Sequence, residues 1–282
     1  HRLFGRSHQH LMTQIALFVP ALNEEVALQR TCGVMRAAVD AGVVTSAFVL
    51  DGGSTDGSAG VAASCGIDVL HVPSLLPSLG PVLGKGDSLY RAVHSVDADW
   101  YVFLDADLGN VSLDHVRALV APIGTPGVSF VKGGFVRVDE HDVPREVPGG
   151  RVTEVVGRPL LAQVDAALAA LSQPLSGQVA IAAPLAHSLQ FVTGYGVEIA
   201  MLIDVAGKFG IDTITQVDLG VRHHRNQPLL SLAVQAAEVI ATVLDRAGAT
   251  ASFAESVLML HRPGGVSQPL NLKERPPIIS LK

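Results

Sequence analysis

Trp100-Tyr101-Val102-Phe103-Leu104-Asp105-Ala106-Asp107-Leu108 is an apolar run, rich in β-branched and aromatic residues, that ends in two carboxylates one residue apart. The run reads as a buried strand, and a strand end is where an α/β sheet presents its chemistry. Carboxylate oxygens at this spacing suit a hard divalent cation, and a cation with few protein ligands keeps room for phosphate oxygens. The pattern therefore reads as a site for a metal and a diphosphate. The same residues also serve a plain turn in which Asp105 or Asp107 caps the next element. The rest of the chain has to decide.

Working outward, residues 15–133 repeat one pattern. Short apolar runs at 15–19, 47–50, 69–72, 101–104 and 128–131 alternate with helix-like segments at 24–41, 58–64, 87–96 and 113–121. Strands alternating with helices predict an α/β fold with a mainly parallel sheet covered on both faces. Ligands of such a sheet bind beyond the C-terminal ends of its strands.

The informative residues follow the runs. After the first comes Pro20-Ala21-Leu22-Asn23-Glu24-Glu25, where Asn23 can cap a helix and the two glutamates suit its positive end. After the second comes Asp51-Gly52-Gly53-Ser54-Thr55-Asp56-Gly57, a tight turn whose side chains offer donors and acceptors to a ribose or base, or simply to the turn itself. Leu83-Gly84-Lys85-Gly86 sets a cation between glycines before a helix; it is no Walker loop, and Lys85 meets either a phosphate or solvent. The fifth run leads to Lys132-Gly133-Gly134 and a polar segment, 139–149, that reads as a mobile loop.

The second half continues with Gly149-Gly150-Arg151-Val152-Thr153-Glu154, which opens a helix expected over 153–171. Backbone N–H groups, a guanidinium and a hydroxyl at a helix start make an oxyanion site. Gln173-Pro174-Leu175-Ser176-Gly177-Gln178 reads as a turn. Thr193-Gly194-Tyr195-Gly196-Val197-Glu198 then opens an apolar helix to about residue 209, and a carboxylate in that setting needs a partner or a cavity. A strand at 213–217 leads into Gly220-Val221-Arg222-His223-His224-Arg225-Asn226, a cluster able to supply a metal ligand and anion contacts together. An amphipathic helix is expected over 229–247, and 270–282 reads as a tail.

Composition sets the bounds. The 282 residues, 48% hydrophobic, support a sizeable core, yet no apolar stretch approaches the ~20 residues that span a bilayer. A net charge of −6 excludes a basic nucleic-acid face. Cys32 and Cys65, in apolar segments without zinc spacing, read as reduced thiols of a cytoplasmic protein. The expected organisation is a leader or tag remnant at 1–14, a nucleotide-binding half at 15–138, an acceptor-binding half at 139–247, and a C-terminal helix and tail at 248–282.

Taken in order, the seven motifs at 20–25, 51–56, 84–86, 105–107, 150–154, 194–199 and 220–226 resemble those of glucosyl-3-phosphoglycerate synthases, retaining glycosyltransferases of the GT-A fold. The similarity covers residues 15–247. The first, second and fourth motifs are shared with a large inverting family; the last three are specific to phosphoglycerate enzymes. The resemblance implies a GT-A fold and a metal-dependent transfer of glucose from a nucleoside-diphosphate sugar, UDP-glucose first, to the C2 hydroxyl of 3-phosphoglycerate.

It further implies that Pro20, Ala21, Leu22, Glu24, Asp51 and Gly52 line the donor pocket. Lys85, Asp105, Glu198 and Arg222 meet the donor's diphosphate and sugar, and with Asp107 form the catalytic set. Asp107 and His224 hold Mg²⁺ or Mn²⁺. Gly150, Arg151, Thr153 and Asn226 bind the phosphorylated acceptor. Glutamate stands in the family where Gln178 stands here, and a more basic, aromatic stretch replaces 133–138. A mannosyl transferase to the same acceptor, a paralogue with another small anionic acceptor, and a polyprenyl-phosphate transferase are the alternatives. No membrane or nucleic-acid partner is expected, and a homodimer through the 229–247 helix is open.

Overall fold

Strand β1 (Ile15–Ala21) sends Ile15, Leu17 and Val19 into one apolar core and Ala16 and Phe18 into another. Burial on both faces is the mark of a sheet covered by helices on both sides. The computed structural model describes residues 13–139, 141, 143–144, 149–223, 229–249, 258–261, 267–270 and 272–281. After β1 come α1 (Glu25–Asp40), β2 (Ser46–Asp51), α2 (Ser58–Ser64), β3 (Asp68–His71), α3 (Lys85–Ser95), β4 (Trp100–Phe103) and α4 (Leu113–Val120). Helix α1 buries Leu28, Thr31, Cys32, Met35 and Ala38, the spacing of one helical face.

The second half holds β5 (Phe130–Val138), α5 (Arg158–Val164), α6 (Ala166–Ala169), β6 (Val179–Ala182), α7 (Ala183–Ser188), β7 (Phe191–Val192), α8 (Val197–Phe209), β8 (Ile214–His223) and α9 (Leu229–Arg246). The main sheet runs β3-β2-β1-β4-β6-β5-β8. Its neighbours pair in parallel except β6, which lies antiparallel between β4 and β5. Because β6 is reversed, its first residues reach the rim where the other strands end. A hairpin of β9 (Leu258–His261) and β10 (Ser267–Leu270) precedes β11 (Glu274–Arg275).

Several elements differ from the sequence reading. The four-residue strand β6 was not foreseen. Strands β5 and β8 run past the expected 131 and 217, so Arg137 and Arg222 sit within strands rather than loops. Helix α3 starts at Lys85, two residues early. The helix expected over 153–171 begins at Arg151, widens into a π-turn over Thr153–Gly157, and breaks at Asp165, whose carboxylate accepts from Ala167 N–H at 2.7 Å and caps α6. Asn23 does not cap α1: it adopts φ +57° and bonds elsewhere.

The tail is part of the body. Strand β11 pairs with β7, and Leu272 and Ile278 are buried. Asp87, fully buried at the start of α3, accepts from Arg275 Nε and Nη2 at 2.8 and 3.1 Å and from Arg91 Nη2 at 3.2 Å. Residues 272–281 therefore clamp the helix that carries Lys85. Among the described residues no helix is long and apolar enough to cross a membrane.

Candidate active site

The turns after β1 and β2 are stitched together. Asn23 N–H donates to Ser54 Oγ (3.0 Å), and Asn23 Oδ1 accepts from Thr55 N–H (2.9 Å). Glu25 N–H donates to Asp56 Oδ2 (3.2 Å), and Glu25 Oε2 accepts from Gly57 N–H (3.0 Å). The polar residues read as candidates for a ribose or base thus build the wall instead, which leaves Pro20, Ala21, Leu22, Glu24 and Gly52 facing the cleft. Asp51 lies beneath that wall, accepting from Ser54 N–H (2.9 Å) and pairing with His71 Nδ1 (3.1 Å). Burial opposes its ionisation, but the hydrogen bonds from Ser54 and His71 overcome that and hold its carboxyl below the usual range.

At the centre, Lys85 Nζ sits 2.6 Å from Asp105 Oδ1 and 2.6 Å from Glu198 Oε1. The flanking glycines explain how. Gly84 has φ +116°, and a Cβ on Gly86 would strike the carbonyl of Val192, so only glycine lets α3 start against that backbone. Burial disfavours the ammonium, yet Asp105 and Glu198 outweigh it and push Lys85 above the ordinary lysine range. Asp105 also accepts from Gln178 Nε2 at 2.6 Å, placed there by the reversed strand β6. Burial pushes the Asp105 carboxyl up, and Lys85 and Arg222 pull it down further, to about 2.

Asp107 differs. Its side chain is 46% exposed, with Arg222 Nη2 3.4 Å away. Burial and then the neighbouring Asp105 raise its proton affinity. Arg222 Nη1 also lies 3.8 Å from Asp105 Oδ2, while its buried Nε has no partner among the described residues. One carboxylate is thus neutralised and the other is left able to take a cation. The described residues hold no group of three His, Cys, Asp or Glu suited to a metal. His224 and Asn226 lie outside the described residues.

Gly150, Arg151 and Thr153 line the far end of the same cleft, a volume of about 860 Å³. Arg137 joins them: a Cβ on Gly150 would lie 2.8 Å from Arg137 Nη2. The sequence reading missed Arg137, Lys132 and Glu238. Lys132 is fully buried directly after an apolar run, which was a usable signal. Glu238 is a carboxylate on the apolar helix α9; it accepts from Tyr195 N–H at 2.6 Å, and burial raises its pKa.

No protein-family model matches the chain. A glucosyl-3-phosphoglycerate synthase of Mycobacterium tuberculosis is 40% identical over 277 residues, covering 94% of this chain and 85% of the relative. Its counterpart in Petrotoga mobilis is 37% identical over 237 residues, covering 83% of this chain and 73% of the relative. The solved structure of the M. tuberculosis synthase with Mn²⁺, UDP-glucose and phosphoglyceric acid superposes with TM-score 0.85 at 39% identity, covering 96% of this chain and 92% of that one. The same synthase with Mn²⁺, UDP-glucose and glycerol 3-phosphate gives TM-score 0.84 at 39% identity, with the same coverage of both chains.

Proposed function

Because the chain belongs to the glucosyl-3-phosphoglycerate synthase family, we propose that its cleft transfers glucose from UDP-glucose to the C2 hydroxyl of 3-phosphoglycerate, with retention. The observation that carries this is the convergence, in one cleft, of the Lys85, Asp105 and Glu198 cluster, the cation-ready Asp107 and the Arg151 helix start.

The half-exposed Asp107 carboxylate, beside an ionised Asp105, fits a hard divalent cation; with His224 it would hold Mg²⁺ or Mn²⁺, which supplies positive charge to the diphosphate. Arg222, which lines the cleft beside Asp105 and Asp107, faces the same negative charge. Pro20, Ala21, Leu22, Glu24 and Gly52 form the wall for the uridine, and Asp51 fixes that wall. Glu198 is occupied by Lys85, so it serves as a support for sugar hydroxyls rather than a nucleophile. Lys85 holds both carboxylates in place.

Gly150, Arg151 and Thr153 take the acceptor's phosphate at a helix start. The bond from the anomeric carbon to the diphosphate oxygen breaks, and its electron pair leaves on UDP. The acceptor oxygen bonds that carbon from the same face and gives its proton to the departing phosphate oxygen. Free thiols at Cys32 and Cys65 support a reducing, cytoplasmic setting.

The test is UDP release from UDP-glucose with Mg²⁺ or Mn²⁺, with and without 3-phosphoglycerate, beside GDP-mannose as the rival donor and Arg151→Ala. Release that requires 3-phosphoglycerate and collapses in the variant is expected. Acceptor-dependent release from GDP-mannose alone would assign a mannosyl transferase instead.

A further inference from the structure

Lys132 is a fully buried cation to which the site described above gives no task. It stands on β5, opposite Val179 of β6, with no exposed surface, and it does not line the cleft. A lysine in that position is expensive to bury and needs a compensating arrangement. Its Nζ donates to the carbonyl oxygen of Ser176 at 2.5 Å. The Ser176 hydroxyl donates to Gln178 Oε1 at 2.8 Å, and Gln178 Nε2 donates to Asp105 Oδ2 at 2.6 Å. Between them, Gly177 packs so tightly that a Cβ there would strike both the Asp105 carboxylate and the Lys85 ammonium.

We propose that Lys132 is a positioning residue for glucosyl transfer: it anchors the 176–178 turn, and through Gln178 and Gly177 that turn fixes Asp105 and Lys85 around the donor sugar. This rests on the reading of the cleft given above. The electrostatics agree with the geometry. Burial lowers the Lys132 pKa, Glu198 and Asp105 oppose that and Lys85 adds to it, and the net result is about 7. Removing the ammonium leaves the Ser176 carbonyl without its donor and loosens the turn at the sugar, whereas the uridine wall at 20–24 and 52–58 is untouched.

The experiment compares wild type, Lys132→Met, Lys132→Gln and Ser176→Ala, measuring kcat, the KM for 3-phosphoglycerate, and the affinities of UDP and UDP-glucose separately. Lys132→Met should lower kcat at least tenfold and remove the affinity that the sugar adds over UDP, with UDP affinity itself within twofold of wild type. Ser176→Ala leaves the Lys132 bond to the backbone carbonyl in place and breaks only the link to Gln178, so it should give a smaller loss of the same kind; Lys132→Gln, which keeps a neutral donor for that carbonyl, should lose the sugar's added affinity only in part and decides the matter if the Met variant does not fold. Wild-type kcat in the folded variants, or equal losses for UDP and UDP-glucose, overturns the role. A wild-type protein without acceptor-dependent turnover overturns the reading of the cleft, and this role with it.

Discussion

Arg137 and Arg222 lie directly opposite each other on β5 and β8, their guanidinium carbons 5.8 and 5.0 Å from the centre of the same Phe135 ring. Like charges facing across strands are unfavourable. The ring face offsets part of that, and an anion between the two ends of the cleft offsets more. Asp105 and Asp107 supply it on the Arg222 side. Arg137 lines the same cleft beside Gly150, where the acceptor's phosphate is proposed to bind.

Arg137→Met should therefore raise the KM for 3-phosphoglycerate by roughly tenfold or more, the loss of one charge-assisted contact. Glycerol 3-phosphate, which keeps the phosphate, should lose binding by a similar factor. Steady-state kinetics with both acceptors check this; an unchanged KM for each would remove Arg137 from the acceptor site.

The bridge from Lys85 to Asp105 and Glu198 separates two roles. Lys85→Met leaves two adjacent carboxylates without their ammonium and should cut kcat by roughly 10²–10³. Glu198→Gln keeps an oxygen for Lys85 and should retain measurable transfer. Mass spectrometry of the wild type trapped with a slow donor should find no glucose on Glu198. A covalent adduct there would falsify the same-face mechanism.

Acid should unfold the apoprotein partly through this cluster. Asp105 ionises at about 2 in the fold, against an ordinary 3.8. A depressed folded pKa contributes stability above the ordinary value, and that contribution is lost as pH falls from 3.8 towards 2. Asp87 is shifted in the same direction, burial being overcome by hydrogen bonds from Arg275, Leu83 and Arg91. The melting temperature should decline steeply below about pH 4, and less steeply in Asp105→Asn. Identical slopes for the two proteins would remove Asp105 from the account.

Arg275 reaches from β11 to Asp87. Arg275→Met leaves a buried carboxylate with one guanidinium in place of two and should cost about 3 kcal/mol, or very roughly 5–10 °C in melting temperature for a chain of this size. Thermal melts decide it. A shift under about 1 °C would mean that the tail does not clamp α3.

Much of the molecule was legible in one dimension. Apolar runs of four or five residues separated by helical spacing dictate a covered, mainly parallel sheet, because side-chain period and turn chemistry are local properties. Glycine next to lysine or arginine at the start of a helix marked Lys85 and Arg151, and the Asp-Ala-Asp stretch marked the strand end between them in the chain.

Other features depended on which strand lies beside which. Val179-Ala180-Ile181-Ala182 has no period that tells a strand from a helix turn, so the reversed β6 was invisible until β4 and β5 left a gap for it. That insertion alone brings Gln178 to Asp105. Burial of a charge is likewise a property of pairs far apart in sequence: Lys132 with the 176–178 turn, Asp87 with Arg275, Arg137 across from Arg222. The sequence by itself determined the layers, the ends of the first four strands and most of the cleft's lining, since each follows from neighbours along the chain. Only the tertiary structure decided how the charges are partnered, because hydrogen bonds and Coulomb forces act through space between residues whose separation along the chain carries no signal.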